Sequence, residues 1–229
     1  EFPEAQGVVV GMTDSLVEEA VARRSASGYE NRLQIVPVGL SGLEDLRCGS
    51  FDLCFALDHV LDVAEDPRWI LDHIVRITRP GGLVISLVRN VCDAVSASLA
   101  DARIEEAEQA LTGKGRCVAN ASELNLFTSA SIEELIKAAG ASPCATVGVP
   151  ATLPQRRLDV HGGHASSVAE MLSNCESLER ILRIERALLD QRGGAQRGSH
   201  LLSIAVVPLR GSHWGDFWLT DLERDCSKA

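Results

Sequence analysis

No stretch of this 229-residue chain is apolar for the ~18 to 20 residues that a membrane-crossing helix needs. The longest runs, such as Val8 to Val10 and Leu201 to Val207, are far shorter. Basic charge is also scarce: 22 Lys and Arg stand against 32 Asp and Glu, a formal net of −10. A whole-chain basic footprint for nucleic acid or anionic lipid is therefore missing, and neither nucleic acid nor membrane is expected as a partner. No C-x-x-C pair occurs. The seven cysteines (Cys48, Cys54, Cys92, Cys117, Cys144, Cys175, Cys226) are odd in number and scattered singly, which argues against a zinc ribbon or a paired disulfide framework. They read mostly as buried free thiols of a reducing compartment, so a cytoplasmic location is expected. Glu1-Phe2-Pro3-Glu4 offers no initiator Met and no basic-then-apolar signal design. The chain is expected to start partway into a longer one. What is present is the profile of one soluble globular domain with a substantial core, 45% hydrophobic and 24% charged.

The apolar pattern alternates strands with helices. Val8-Val9-Val10 before Gly11 is a β-branched run of the kind buried on both faces of a parallel sheet. A helix follows, with Ser15 and Glu18 at capping-box spacing, an apolar face of Leu16, Val17, Ala20 and Val21, and Arg23 and Arg24 in its last turn. Leu33 to Val38 and Phe51 to Ala56 predict the next two strands. Asp66-Pro67 announces a helix, with Asp at the N-cap and Pro at the first helical position, and Ile70, Ile74 and Ile77 on one face. Pro80-Gly81-Gly82 should break it and turn into a strand over Leu83 to Val88. Residues 94 to 112 read as a polar, weakly patterned helix, part of a cap or insertion over 91 to 126. Ser131 and Glu134 predict a second capping box, Leu135, Ile136 and Ala139 an apolar face, and Gly140 a helix stop. A strand from Cys144 to Val149, a loop over 150 to 164, one long helix or two joined ones over 165 to 192 and a strand from His200 to Val207 complete a domain over 1 to 210. Residues 211 to 229, with Trp214, Phe217 and Trp218, form a tail. This alternation predicts an α/β sheet with right-handed crossovers.

Two stretches together carry a resemblance. The run from Phe51-Asp52-Leu53 through Leu57-Asp58-His59-Val60-Leu61 to Asp66-Pro67, followed by Ile77-Thr78-Arg79-Pro80-Gly81-Gly82-Leu83-Val84-Ile85, resembles class I S-adenosylmethionine-dependent methyltransferases of the small-molecule type. Leu126-Phe127-Thr128 and Ser199-His200-Leu201-Leu202 are similar to the same family's C-terminal half. The resemblance runs from about Val8 to Val207. It implies a Rossmann-like, doubly wound, mostly parallel sheet with an antiparallel last strand, S-adenosyl-L-methionine as cofactor, and a small-molecule methyl acceptor.

Carried over residue by residue, the resemblance places cofactor contacts at Gly11, Thr13, Asp14 and Ser15, at Gly39, Leu40 and Ser41, and at Ala56, Leu57 and Asp58. A carboxylate at a strand's carboxyl end can accept both hydroxyls of a ribose, in the crevice where open α/β sheets hold ligands. Thr13 stands where the family has that acid, with Asp14 one position later. Leu40 stands where the family has a carboxylate that contacts the adenine amino group; the lost bond is worth ~1 kcal/mol or more. His59 is the candidate catalytic residue, placed to take a proton from an acceptor hydroxyl or amine. The family's glycine-rich loop, which lets backbone approach the cofactor closely, has no counterpart in these residues. The first strand and helix are therefore expected to be lacking, although that strand is central in the family's sheet.

Methyl transfer to a small molecule would rest mainly on alignment, with Arg156, Arg157, His161 and His164 on the acceptor side. A methyltransferase-like module that no longer catalyses and acts through contact is the alternative. Leu40, Thr13 and the absent loop favour it. A nicotinamide-dependent oxidoreductase also needs a glycine fingerprint, and the Arg79-Pro80-Gly81-Gly82 context does not belong to one.

Overall fold

The computed structural model describes residues 4–10, 14–36, 39–57, 59–116, 123–150, 173–189, 196 and 198–209. In chain order these form β1 (Gly7–Val10), α1 (Asp14–Ala26), β2 (Leu33–Val36), a short 3₁₀ turn (Leu40–Leu43), β3 (Phe51–Ala56), α2 (Pro67–Ile77) and β4 (Thr78–Arg89). There follow α3 (Val91–Ala100), α4 (Ile104–Leu111), β5 (Lys114–Arg116), β6 (Glu123–Asn125), α5 (Ser129–Ala138), β7 (Ser142–Val149), α6 (Cys175–Leu189) and β8 (His200–Val206).

The sheet is mixed and divided. β3, β4, β8 and β7 lie side by side in that order; β3 and β4 are parallel, and β8 runs antiparallel to both β4 and β7. β1 and β2 form a separate parallel pair, and β5 with β6 a small antiparallel ribbon. β3, β4 and β7 share one direction and β8 opposes them, which agrees with the expected antiparallel last strand. Among the described residues no ladder joins β1 to β3. The β1–β2 pair instead meets the body through Val10, and the 3₁₀ turn that follows β2 through Leu40, both packed against the main core. Its consequence shows in β1, where Val8, Val9 and Val10 are half-buried rather than enclosed on both faces.

The main core lies on one face of the four-stranded sheet. Cys54, Ala56, Val84 and Val88 point to the same side as Leu201 and Ala205, and Ile70, Leu71, Ile74 and Ile77 of α2 and Ile132 and Ile136 of α5 cover them. The α2 apolar stripe is the predicted one. Asp66 caps this helix, its carboxylate accepting from the backbone N–H of Arg68 and Trp69, with Pro67 at the first position. On the opposite face Leu53 and Leu83 are paired in register yet each 40% exposed, and Phe55 beside Ile85 is 56% exposed.

Several local expectations are corrected. α1 begins at Asp14, so Ser15 sits inside the first turn rather than at the cap. In α5 the cap is Thr128, bonded reciprocally with Ser131, and not Ser131 with Glu134; Gly140, at φ 91, does terminate the helix. Arg79-Pro80-Gly81-Gly82 is part of β4, not a turn before it. The stretch 94 to 112 is two helices, α3 and α4, broken at Ala102, whose φ is 57. Of the five described cysteines only Cys54 is buried; Cys48, Cys92, Cys144 and Cys175 are exposed free thiols. The loop 150 to 164 beyond its first residue, the helix before 173 and the tail lie outside the described residues.

Candidate functional site

The carboxyl ends of β3 and β4 meet the start of β8, and the turn after β3 is folded back over them. That turn is built by the backbone: the carbonyl of His59 accepts from the N–H of Asp62 at 3.0 Å and of Val63 at 3.1 Å. Asn125 fastens it from β6. Its side-chain amide donates to the carbonyls of Leu61 and Ala64, and its backbone N–H donates to that of Asp62 at 2.7 Å. The geometry forces His59 to φ 66, a left-handed conformation that costs a non-glycine residue about 1 kcal/mol or more and persists where surroundings dictate it.

Within this frame a polar cluster is assembled. His59 Nδ1 lies 2.7 Å from Asp62 Oδ2, while Asp62 Oδ1 accepts the backbone N–H of Arg89 at 3.0 Å. The Asp62 carboxylate is fully buried, with the Arg89 guanidinium as its nearest countercharge, Nε to Oδ2 3.8 Å. The His200 ring, set directly across the ladder from Arg89, lies 5.2 Å from the His59 ring between centroids. Its Nδ1 shares a hydrogen bond with the Ser199 hydroxyl. Burial holds His200 below its ordinary pKa of 6.5, and His59 and Arg89 push the same way against Asp62 and Asp93. Asn90 ties the cluster to the chain before β8, donating to the carbonyls of Gln196 and Gly198. Chemically, a half-exposed imidazole backed by a buried carboxylate can accept a proton from a protic group.

His59 is the sequence-predicted residue that the structure places in this cluster. Gly39 (φ 65, ψ −165) has open space where a side chain would begin, and Leu40 next to it is half-buried against the core that contains Ala56. Ser41 is exposed in the 3₁₀ turn, and Leu57, just past β3, is 40% exposed. Gly11, Thr13 and Asp58 lie outside the described residues; for Asp14 and Ser15 only the backbone is described, at the start of α1. Sequence reasoning missed Asp62, Arg89 and His200. Asp62 follows His59 by three residues, a spacing that a turn can close, but its side chain is engaged by the Arg89 backbone of β4, far away in sequence.

Residues 3–86 match the family model of a methyltransferase domain. No curated protein matches the chain in sequence. Among solved structures, an S-adenosylmethionine-dependent methyltransferase from Mesorhizobium loti is similar over 88% of this chain and 80% of its own, with TM-score 0.55 at 14% identity. A similar enzyme class from Methanosarcina mazei gives TM-score 0.54 at 13% identity, over 88% and 82%. The [4+2]-cyclase SpnF gives 0.55 at 16%, over 90% and 67%. The chain thus has the class I S-adenosylmethionine-dependent methyltransferase fold, and its N-terminal part carries that domain's sequence signature. No described helix is long and apolar enough to cross a membrane.

Proposed function

We propose that the protein transfers the methyl group of S-adenosyl-L-methionine to a small molecule, with His59 accepting the proton that the acceptor gives up. The observation that carries this reading is the His59–Asp62 pair at the carboxyl ends of β3 and β4, where α/β sheets bind ligands, within the span that matches a methyltransferase domain. The described residues fit the adenosine half of the cofactor. Gly39 leaves room for close approach, Leu40 and Leu57 offer apolar surface, and the backbone at 39 to 41 and 56 to 57 would supply the hydrogen bonds. The cofactor brings an already activated methyl group, so the protein's own work is to orient the acceptor, exclude water and hold its proton.

For the methionine half the described residues offer no glycine-rich cradle. We place a further strand and its helix beside β3, where Leu53, Phe55 and neighbouring Leu83 of β4 are exposed and no described ladder joins β1. The second reading, an interaction module without methyl transfer, is favoured by Leu40, which offers no polar group to an adenine. Calorimetric titration of S-adenosylmethionine and S-adenosylhomocysteine into this chain, and into a form extended at its N-terminus by a strand and helix, separates the two. Saturable binding by the extended form is expected. A folded extended protein that binds neither compound refutes methyl transfer and selects the module.

A further inference from the structure

We propose that Asp62 is a positioning residue that holds His59 in the tautomer carrying its proton on Nδ1, leaving Nε2 as the atom that takes a proton from the acceptor. The acceptor's identity as a hydroxyl or amine rests on the methyl-transfer reading above; the tautomer does not.

The two carboxylate oxygens of Asp62 have separate duties. Oδ1 accepts the backbone N–H of Arg89, a donor fixed in β4, whose N–H cannot be exchanged for an acceptor. Oδ2 is left for His59 Nδ1 at 2.7 Å. An ionised carboxylate only accepts, so in the His59–Asp62 bond the imidazole is the donor, and the atom that faces Asp62 is Nδ1. In the neutral ring the remaining nitrogen, Nε2, is then the one without a proton, and the side chain keeps 30% of its surface exposed. The turn does not need this bond to close, because the His59 carbonyl and the Asn125 side chain already hold its backbone. What the carboxylate adds is the ring's orientation and proton register. In the step itself the acceptor's O–H or N–H bond breaks, its electron pair stays on the acceptor atom, and the proton forms an Nε2–H bond. The resulting imidazolium lies against the buried Asp62 carboxylate, which compensates its charge.

The arrangement makes Asp62→Asn an unusually sharp probe. The amide oxygen must stay opposite the Arg89 N–H, since reversing the amide would set two donors against each other. Its NH2 group therefore faces His59 Nδ1 and obliges that nitrogen to accept, which moves the ring proton to Nε2. Nitrogen-15 NMR of the imidazole rings, assigned with a His59→Gln variant, reads this directly. The expected result is a protonated Nδ1 and bare Nε2 in the native chain, inverted in Asp62→Asn. A native His59 that carries its proton on Nε2, or an unchanged tautomer in the folded variant, overturns the proposal. Should Asp62→Asn not fold, the native spectrum alone decides. The readout uses neither cofactor nor acceptor, so a chain that fails to bind S-adenosylmethionine defeats the methyl-transfer reading without touching this one.

Discussion

Replacing Gly82 by Ala should destabilise the protein by about 2 to 3 kcal/mol, because the new Cβ has nowhere to go. Built on the observed backbone, it would sit 2.7 Å from Thr78 Cγ2 and 2.9 Å from each of two carbonyl oxygens, those of Arg79 and Asp52. The methyl of Thr78 could rotate away. The Arg79 carbonyl belongs to β4 itself, so its relief bends that strand, and the Asp52 carbonyl belongs to β3, so its relief requires the two strands to part where they first pair. Crowding of this kind costs ~1 to 3 kcal/mol, and backbone obstacles put Gly82 in the upper part of that range. Gly28→Ala is the reference: its φ is 70 but nothing lies within 4 Å, so it reports left-handed strain alone, about 1 to 2 kcal/mol. With a urea slope of about 2 kcal/mol per molar, Gly82→Ala should lower the unfolding midpoint by about 1 to 1.5 M, and Gly28→Ala by about 0.5 to 1 M. Equal midpoints for Gly82→Ala and the native chain would refute the argument from close approach. A changed slope would show that the variant has altered the native or unfolded ensemble instead.

Two further outcomes follow from the site. Asn125→Ala removes the amide donations to Leu61 and Ala64 while the backbone bond to Asp62 remains; the loss should be about 1 to 2 kcal/mol, with faster amide exchange confined to the turn after β3. Unchanged protection of Asp62 and Val63 would contradict the anchoring role. The second concerns acid. Since the folded state holds His200 below 6.5, the unfolded chain binds the extra proton first, and stability should decline as pH falls below about 6.5 until the folded-state value is passed. His200→Gln should flatten that part of the urea-midpoint profile; an equally steep profile in the variant would assign the acid sensitivity to other groups.

How much of this was legible in the sequence depended on how local the cause was. Asp66-Pro67 was readable because a cap and a fixed φ act within one turn. Thr128 and Ser131 against Ser131 and Glu134 was a contest between two local motifs, decided by where Phe127 leaves the sheet, since its N–H is bonded to Arg89 and its carbonyl to Val91. Ala102 breaks the 94 to 112 stretch without any glycine or proline to announce it. The Arg79-Pro80-Gly81-Gly82 segment looked like a turn because its composition is that of one, whereas its glycine serves contact between strands. At the site, His59 could be singled out from its place after a strand. Asp62 and His200 could not, because one owes its role to a bond with the Arg89 backbone of β4 and the other reaches the cluster only through pairing of β8 with β4.

The division of the sheet has a thermodynamic side as well. β3, β4, β7 and β8 share ladders and one apolar core, so they should lose structure together, whereas β1 and β2 are joined to them by packing of Val10 and by no described ladder. Cooperativity in this molecule therefore has a seam. Opening along it would release β1 and β2 while residues 40 to 46 stay with the core, held by buried Leu43 and by Arg76, whose guanidinium donates to the carbonyls of Leu43, Glu44 and Leu46, and any ligand that touches both sides would act as the clasp that makes the two parts melt as one.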